Sequence, residues 1–364
     1  VKELMLETAT NQILNSLFDI VSNIQIQPNF CIQHPNYQPF ALPAKIADRF
    51  QQNPPALQSK YLSLLLRNFL YGIYYNGSLQ TSLAVDNSAD RKIELNLVQN
   101  NSLGIDCEFF QQLHHSNHGI GHYDPAWQVL KVEPDGSIAV TKDGLTLYVE
   151  PECHLKSSKK TVKSGELIAI WMPKNRLQNG CYIAVSNVGQ EQQNNGNLGV
   201  GRIYFNFTPQ GAIALMDQLT QQLNNSAIPF SFQVFYNPAA YERYDSGVLY
   251  FERDDYSVIR KILQPVYREN QSYFQPEIPL FTKFLAPGLG LAEEPNQKFA
   301  AQETFGINRC QIVANALLEA WQKGKNAIEE RMRIIEKHFA QNLIDVQRPY
   351  LNPSSEDIYI PLNC

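Results

Sequence analysis

Residues 199–216, GVGRIYFNFTPQGAIALM, change periodicity halfway along. Ile203, Phe205 and Phe207 alternate with Arg202, Tyr204 and Asn206, the period of two that a strand needs to put one set on each face. Beyond Pro209 the apolar residues Ala212, Leu215, Met216, Leu219 and Leu223 recur at helical spacing, and proline suits the first turn of such a helix. Two further strands follow, FSFQVF at 230–235 and one within YERYDSGVLYF at 241–251. In the first of these, Phe230, Phe232 and Val234 share a face, and Ser231, Gln233 and Phe235 lie on its reverse. The helix must cover the apolar side. The other side then carries Arg202, Tyr204, Asn206 and Gln233, and that is where a ligand can sit.

The rest of the chain extends this picture in both directions. WQVLKVEPDGSIAVTKDGLTLYVEP at 127–151 alternates around Asp135-Gly136 and Asp143-Gly144, which predicts a three-stranded meander. ELIAIWMP at 166–173 reads as another strand, and the Gly-, Asn- and Gln-rich segment 187–201 as a surface loop. Toward the N-terminus, Ile13, Leu17 and Ile20 sit at helical spacing. Residues 34–43 read as a proline-punctuated connection, 57–75 as a helix, and Asp90 to Gln99 as a third. Toward the C-terminus a helix is expected from about Asn308, with Arg309 at its start. Gly324 interrupts it, a second helix runs to about Leu343, and the tail is irregular. The fold class predicted is α+β: a mostly helical region over 1–120, then an α+β domain over 121–364 with a mixed or antiparallel sheet flanked by helices.

The chain has 364 residues, 44% hydrophobic and 18% charged, with a formal net charge of −5. That is a globular composition, and its sign argues against nucleic acid or an anionic membrane as partner. Six cysteines without a C-x-x-C pair look like reduced thiols. The most apolar run, YLSLLLRNFLYGIYY, is broken by Arg67 and too short to span a bilayer. A cytoplasmic protein is expected.

Several familiar site types fail on their own chemistry. The glycines of GNLGVGR precede a strand instead of opening a helix, so they do not form a nucleotide loop. His114, His118 and His122 would share one face of a helix, but Gly119 and Gly121 disfavour that helix. The acid of a zinc-protease motif is also missing, so no metal is assigned and a histidine-rich loop beside the cleft is preferred. No G-x-S-x-G elbow is present. The arginines remain. Arg202 and Arg243 fall on separate segments of one sheet and Arg309 at a helix start; guanidinium groups bind phosphate oxygens bidentately. The competing reading makes them ordinary ion-pair partners of Glu242, Asp245 and Glu303.

The segments GRIYFNFTPQGAIALMDQL and PFSFQVFYNPAAYERYDSGVLYF resemble the HopA-type effector-related family. GHYDPAWQV, KDGLTLYV, FLAPGLGLAEEP, TFGINRCQ and RPYLNP follow in the shared order. The resemblance implies a phosphothreonine-lyase-like fold. Some relatives are type III effectors. Others belong to clusters making lanthipeptides and thioamide peptides, where a kinase-like partner phosphorylates Ser or Thr of a ribosomal precursor peptide and the lyase eliminates the phosphate. No cofactor is implied.

Carried over residue by residue, the resemblance makes Arg202, Arg243 and Arg309 phosphate-binding and Tyr204 the proton donor. Gln233 stands where the family's base lysine would be, and Tyr250 and Asn206 line the pocket. Gln233 cannot accept a proton, and a phenol, which titrates at about 10, donates less readily than imidazolium. Lys283 is the substitute base considered, along with a histidine from 114–122. Three functions stay open: a phospho-Ser/Thr lyase, a catalytically silent peptide-binding partner of a kinase-like enzyme, and, ranked third, a type III effector-like protein.

Overall fold

A computed structural model describes residues 2–85, 106–156, 162–189 and 199–363. The first part comprises α1 (Lys2–Asn23), β1 (Gln25–Gln27), β2 (Cys31–His34), β3 (Tyr37–Ala41), α2 (Ala44–Gln51) and α3 (Pro55–Leu70). A π-helical turn, Tyr71–Tyr75, prolongs α3, and α4 (Gln80–Leu83) and α5 (Cys107–Ser116) follow. Next come β4 (His122–Val132), β5 (Ile138–Lys142), β6 (Leu145–Val149), α6 (Pro151–His154), β7 (Leu167–Met172), β8 (Asn175–Gln178) and β9 (Cys181–Val185). The remainder is β10 (Val200–Phe205), α7 (Pro209–Asn225), β11 (Phe230–Phe235), β12 (Gly247–Glu252), α8 (Tyr256–Glu269), β13 (Lys283–Ala286), β14 (Leu289–Glu293), α9 (Phe305–Gln322) and α10 (Ile328–Gln341). The fold is α+β, and every described strand pair in its sheets is antiparallel.

The central sheet has seven strands in the order β13-β14-β10-β12-β11-β9-β8. Its register sorts the side chains. Ile203 pairs with Leu249 on one side and Leu291 on the other, and Leu249 pairs with Phe232. All four are fully buried. Each such side chain contributes on the order of 1.5–3 kcal/mol of apolar burial. On this face α7 lies against β11 and packs against α5 and α8. Thr208 caps α7 by accepting from the Gly211 amide at 3.2 Å, with Pro209 in the first turn, as the sequence pattern requires.

The opposite face carries Arg202, Tyr204, Gln233 and Tyr250. A second helical layer, in which α9 packs on α3 and on α10 and α10 packs on α1, meets the sheet here. Contact is made by rings: Tyr75 of the π turn and Phe305 of α9 both approach Tyr204, with centroids 6.4 and 6.3 Å away. Strands β4–β7 form a separate four-stranded sheet with a small core of its own around Trp127, Val129, Val140 and Ile170. Asp143 and Gly144, both at positive φ, close its expected β5–β6 hairpin.

Two expectations need correction. Residues 34–43 are not merely a connection: 31–34 and 37–41 pair as strands, with β1 completing a three-stranded sheet. Helix α9 begins at Phe305, three residues before Asn308. Its Asn308 amide already bonds the Thr304 carbonyl at 2.9 Å, so Arg309 lies in the second turn, past the free amides of the helix start. The helix expected at 90–99 and most of the 187–201 loop lie outside the described residues.

Candidate functional site

Arg202 and Tyr250 are directly paired across β10 and β12, and the guanidinium sits 4.9 Å from the Tyr250 ring centroid. The Tyr250 hydroxyl donates to the Gln233 amide oxygen at 3.4 Å, and the Gln233 nitrogen donates to Cys181 Sγ at 3.2 Å. A polar row thus crosses four strands. Burial pushes the Cys181 thiol up to about 11 and also raises Tyr250, so both stay protonated at neutral pH.

Arg202 is ion-paired with Glu294, and Glu294 also holds the Lys298 ammonium at 2.5 Å. One carboxylate is shared by two cations, and the buried Glu303 carboxylate also acts on Lys298. Burial, together with Arg202, pulls the Lys298 ammonium below its ordinary value. Burial alone would depress Arg202 too; the neighbouring Tyr204 and Tyr250 hydroxyls outweigh it and the net shift is upward. Arg202 Nε and the Tyr204 hydroxyl are both buried without a hydrogen-bond partner. The hydroxyl lies within hydrogen-bonding reach of the Arg202 guanidinium and the Tyr75 phenol and raises the pKa of both, although neither contact aligns as a good hydrogen bond. Two orphaned donors side by side carry a desolvation cost of about 1–3 kcal/mol each until an acceptor arrives.

The other two arginines are held by protein acceptors. Arg243 forks onto Asp245, at 2.5 Å through Nε and 2.9 Å through Nη2, with its face 4.9 Å from the Phe235 ring. Burial opposes the charge of Arg243, but Asp245 outweighs it and raises the pKa. This is the ion-pair alternative weighed for the arginines, and for Arg243 it is what the structure shows. Arg309 is 1% exposed and donates to the Pro349 carbonyl at 2.7 Å, the Leu351 carbonyl at 3.1 Å and Asn308 Oδ1 at 2.5 Å. Burial pulls it down to about 10. Between those two carbonyls, the Tyr350 carbonyl accepts from the Glu293 amide at 2.8 Å. Arg309 is therefore a clamp that sews the RPYLNP segment between β14 and α9.

All three guanidinium groups border one aromatic cluster. Phe305 lies under Arg309, Tyr204 and Tyr75 touch Phe305, Tyr71 stacks on Tyr75 at 5.0 Å, and Tyr71 reaches Asp245. Gly306 permits the closest of these approaches, since a Cβ there would meet the Tyr75 ring at 2.3 Å. The arginines are thus neighbours of one cluster without being three open donors.

Lys283 is not brought to this face. It pairs with Leu291, in the row of Ile203, and its ammonium is 2.5 Å from Asp357 and 5.2 Å from the Tyr350 ring centroid. Asn206 is on the site's face but is spent locally, its amide donating to the Glu277 carbonyl at 3.0 Å. The histidines separate. His114 bonds the Tyr182 hydroxyl at 3.1 Å, His118 bonds Asp217 at 2.6 Å, and His122 opens β4 because α5 ends at Ser116. Among the described residues no group of three His, Cys, Asp or Glu is placed to hold a metal ion, and no helix is long and apolar enough to cross a membrane. Sequence reasoning missed Glu294 and Lys298. Their i, i+4 spacing was the available signal for that ion pair, whereas the contact with Arg202 depends on β14 lying beside β10.

Residues 172–351 match the HopA1 effector protein family. Two solved structures share 20% and 19% identity with the chain: the effector proteins of Pseudomonas syringae pv. tomato strain DC3000 and of Pseudomonas syringae pv. syringae strain 61. Each superposition has a TM-score of 0.36 and covers 47% of this chain and 62% of the other, so the match spans less than two thirds of either relative. No curated protein matches. Over residues 172–351 the chain is similar to the HopA1 effector protein family.

Proposed function

We propose that this chain binds a phosphorylated Ser or Thr side chain of a polypeptide at the Arg202 corner of the sheet, and holds it without turning it over. One observation carries the reading: a buried guanidinium with an unpartnered Nε stands beside a buried, unpartnered phenol, and Glu294 is shared between Arg202 and Lys298. An arriving phosphate would accept from both orphaned donors. Glu294 could then pass wholly to Lys298, so the exchange leaves no carboxylate stranded. Silent binding is preferred over elimination because Gln233, at the base lysine's position, is an amide, and Lys283, considered as its substitute, lies on the other face of the sheet.

A second reading, β-elimination, is favoured by one specific feature. Lys298 is an amine whose pKa is pulled down by burial and by Arg202, at the same corner. As base it would take the Cα proton, the Cβ–O bond would break, and phosphate would leave with the bond electrons. Incubation with matched phosphorylated and unphosphorylated peptides, followed by mass spectrometry and a binding titration, separates the readings. Phosphate-dependent binding of an intact peptide supports the first, and loss of the elements of phosphoric acid supports the second. Equal affinity for both peptides with no mass change contradicts both.

A further inference from the structure

A cavity of about 280 Å³ lies away from the Arg202 corner, between α1, the β2–β3 turn, the π turn and the segment 277–284. Its size falls just below that of ligand pockets, which span roughly 300–1,000 Å³. It suits a small molecule or a single side chain. The chemistry of its wall is one-sided. Asp19 and Glu277 supply carboxylates, Tyr37, Tyr74 and Tyr244 supply phenol rings, and none of the described lining residues is Lys or Arg.

His34, also in the wall, is kept neutral. Its Nδ1 accepts from the Asn36 amide at 3.1 Å, which leaves Nε2–H to donate to the Tyr74 oxygen at 2.9 Å, and burial lowers its pKa although Asp19 opposes the shift. The Tyr74 hydroxyl then donates to Asp19 Oδ2 at 2.7 Å. Asp19 accepts one further bond, from Asn23 at 2.7 Å. A carboxylate offers about four lone-pair sites, so Asp19 has capacity left. The phenols feel the acids as well: burial first, then Tyr244 and Asp19, raise Tyr37, and Glu277 contributes to the rise at Tyr244. In the same wall Phe281 holds φ at 73°, a strained value for an aromatic residue and one that clusters at ligand clamps.

We propose that this cavity receives the ammonium group of an alkylamine, either a free amine or a lysine side chain of a peptide, between the Asp19 and Glu277 carboxylates and against the Tyr37, Tyr74 and Tyr244 rings. Phenol faces attract a desolvated cation, and two carboxylates with no cation in the wall supply the counter-charge.

The test is calorimetric titration of the full chain with cadaverine and with N-acetyl-lysine methylamide, using N-acetyl-norleucine methylamide as the neutral control. The proposal expects saturable binding of at least one amine, weak or no binding of the control, and a loss of at least about tenfold in the Asp19→Asn/Glu277→Gln variant. Preference for cadaverine identifies a free amine as the source; preference for the lysine amide identifies a peptide. Should the double variant fail to fold, Glu277→Gln alone, at an exposed position, gives the same reading. Equal binding of the neutral control, no binding of either amine at millimolar concentration, or unchanged affinity in the folded variant overturns the proposal.

Discussion

The guanidinium of Arg202 lies 4.9 Å from the ring centroid of Tyr250, the residue directly opposite it on the neighbouring strand. Cross-strand pairing fixes that contact, and Glu294 holds one edge of the same guanidinium. The group is therefore pre-positioned, with its Nε left without a hydrogen-bond partner. Neither of the other two arginines near the aromatic cluster is in this state.

Arg309 is predicted to matter for stability and not for ligand affinity. In Arg309→Lys one ammonium cannot reproduce the planar fork that reaches the Pro349 and Leu351 carbonyls together. A buried acceptor left without its donor costs about 1–3 kcal/mol. Denaturant melts should show a loss of that size, while affinity of the folded variant for a phosphopeptide stays within about threefold, a difference of less than 1 kcal/mol. A large affinity loss at unchanged stability would return Arg309 to the binding site.

Arg243 and Asp245 should behave as a structural pair. Arg243→Met strands the buried Asp245 carboxylate, whose remaining donors, Tyr71 and Asn76, are 3.4 and 3.5 Å away. Breaking a buried pair from one side costs about 3–5 kcal/mol, and removing both partners costs far less. Chemical denaturation of Arg243→Met and of Arg243→Met/Asp245→Leu should show the double variant as the more stable of the two.

Acid sensitivity is expected between α9 and α10. Glu319 accepts from Lys323, Lys337 and His338 at 2.7, 2.9 and 2.6 Å, and these bonds hold its carboxyl at about 2, below the ordinary 4.5. A depressed acid contributes stability that is fully present above the unfolded value and disappears as pH falls toward the folded one. Melting temperatures taken from pH 4.5 down to about 2 should therefore fall more steeply in the wild type than in Glu319→Gln. Parallel curves would show that the three bonds are too solvated to count.

Much of this architecture was legible before any coordinates. The alternation in 202–207 and 230–235 assigned both faces of the central sheet correctly, because one face is dry and selects its side chains strongly. Pro209 marked the start of α7, for the same reason that it is tolerated in its first turn. The start of α9 was set three residues late, at Asn308, while in the structure the missing Cβ of Gly306 lets the first turn press onto Tyr75. The face on which Lys283 lies depends on which residue of β14 it opposes, and a shift of one residue would reverse it, so the sequence alone does not reveal it. The Glu294 partner of Arg202 lies far along the chain, and only the β10–β14 pairing brings the two together.

The central claim rests on Arg202, and the most direct measurement is a titration of wild type, Arg202→Lys and Arg202→Met with one phosphoserine peptide and its unphosphorylated twin. The account predicts phosphate-dependent binding in the wild type. It predicts a loss of at least about tenfold in Arg202→Lys, which keeps the charge but not the stacked planar fork, and no phosphate preference in Arg202→Met. A wild type that ignores the phosphate, or an Arg202→Met variant that still recognises it, would contradict the account.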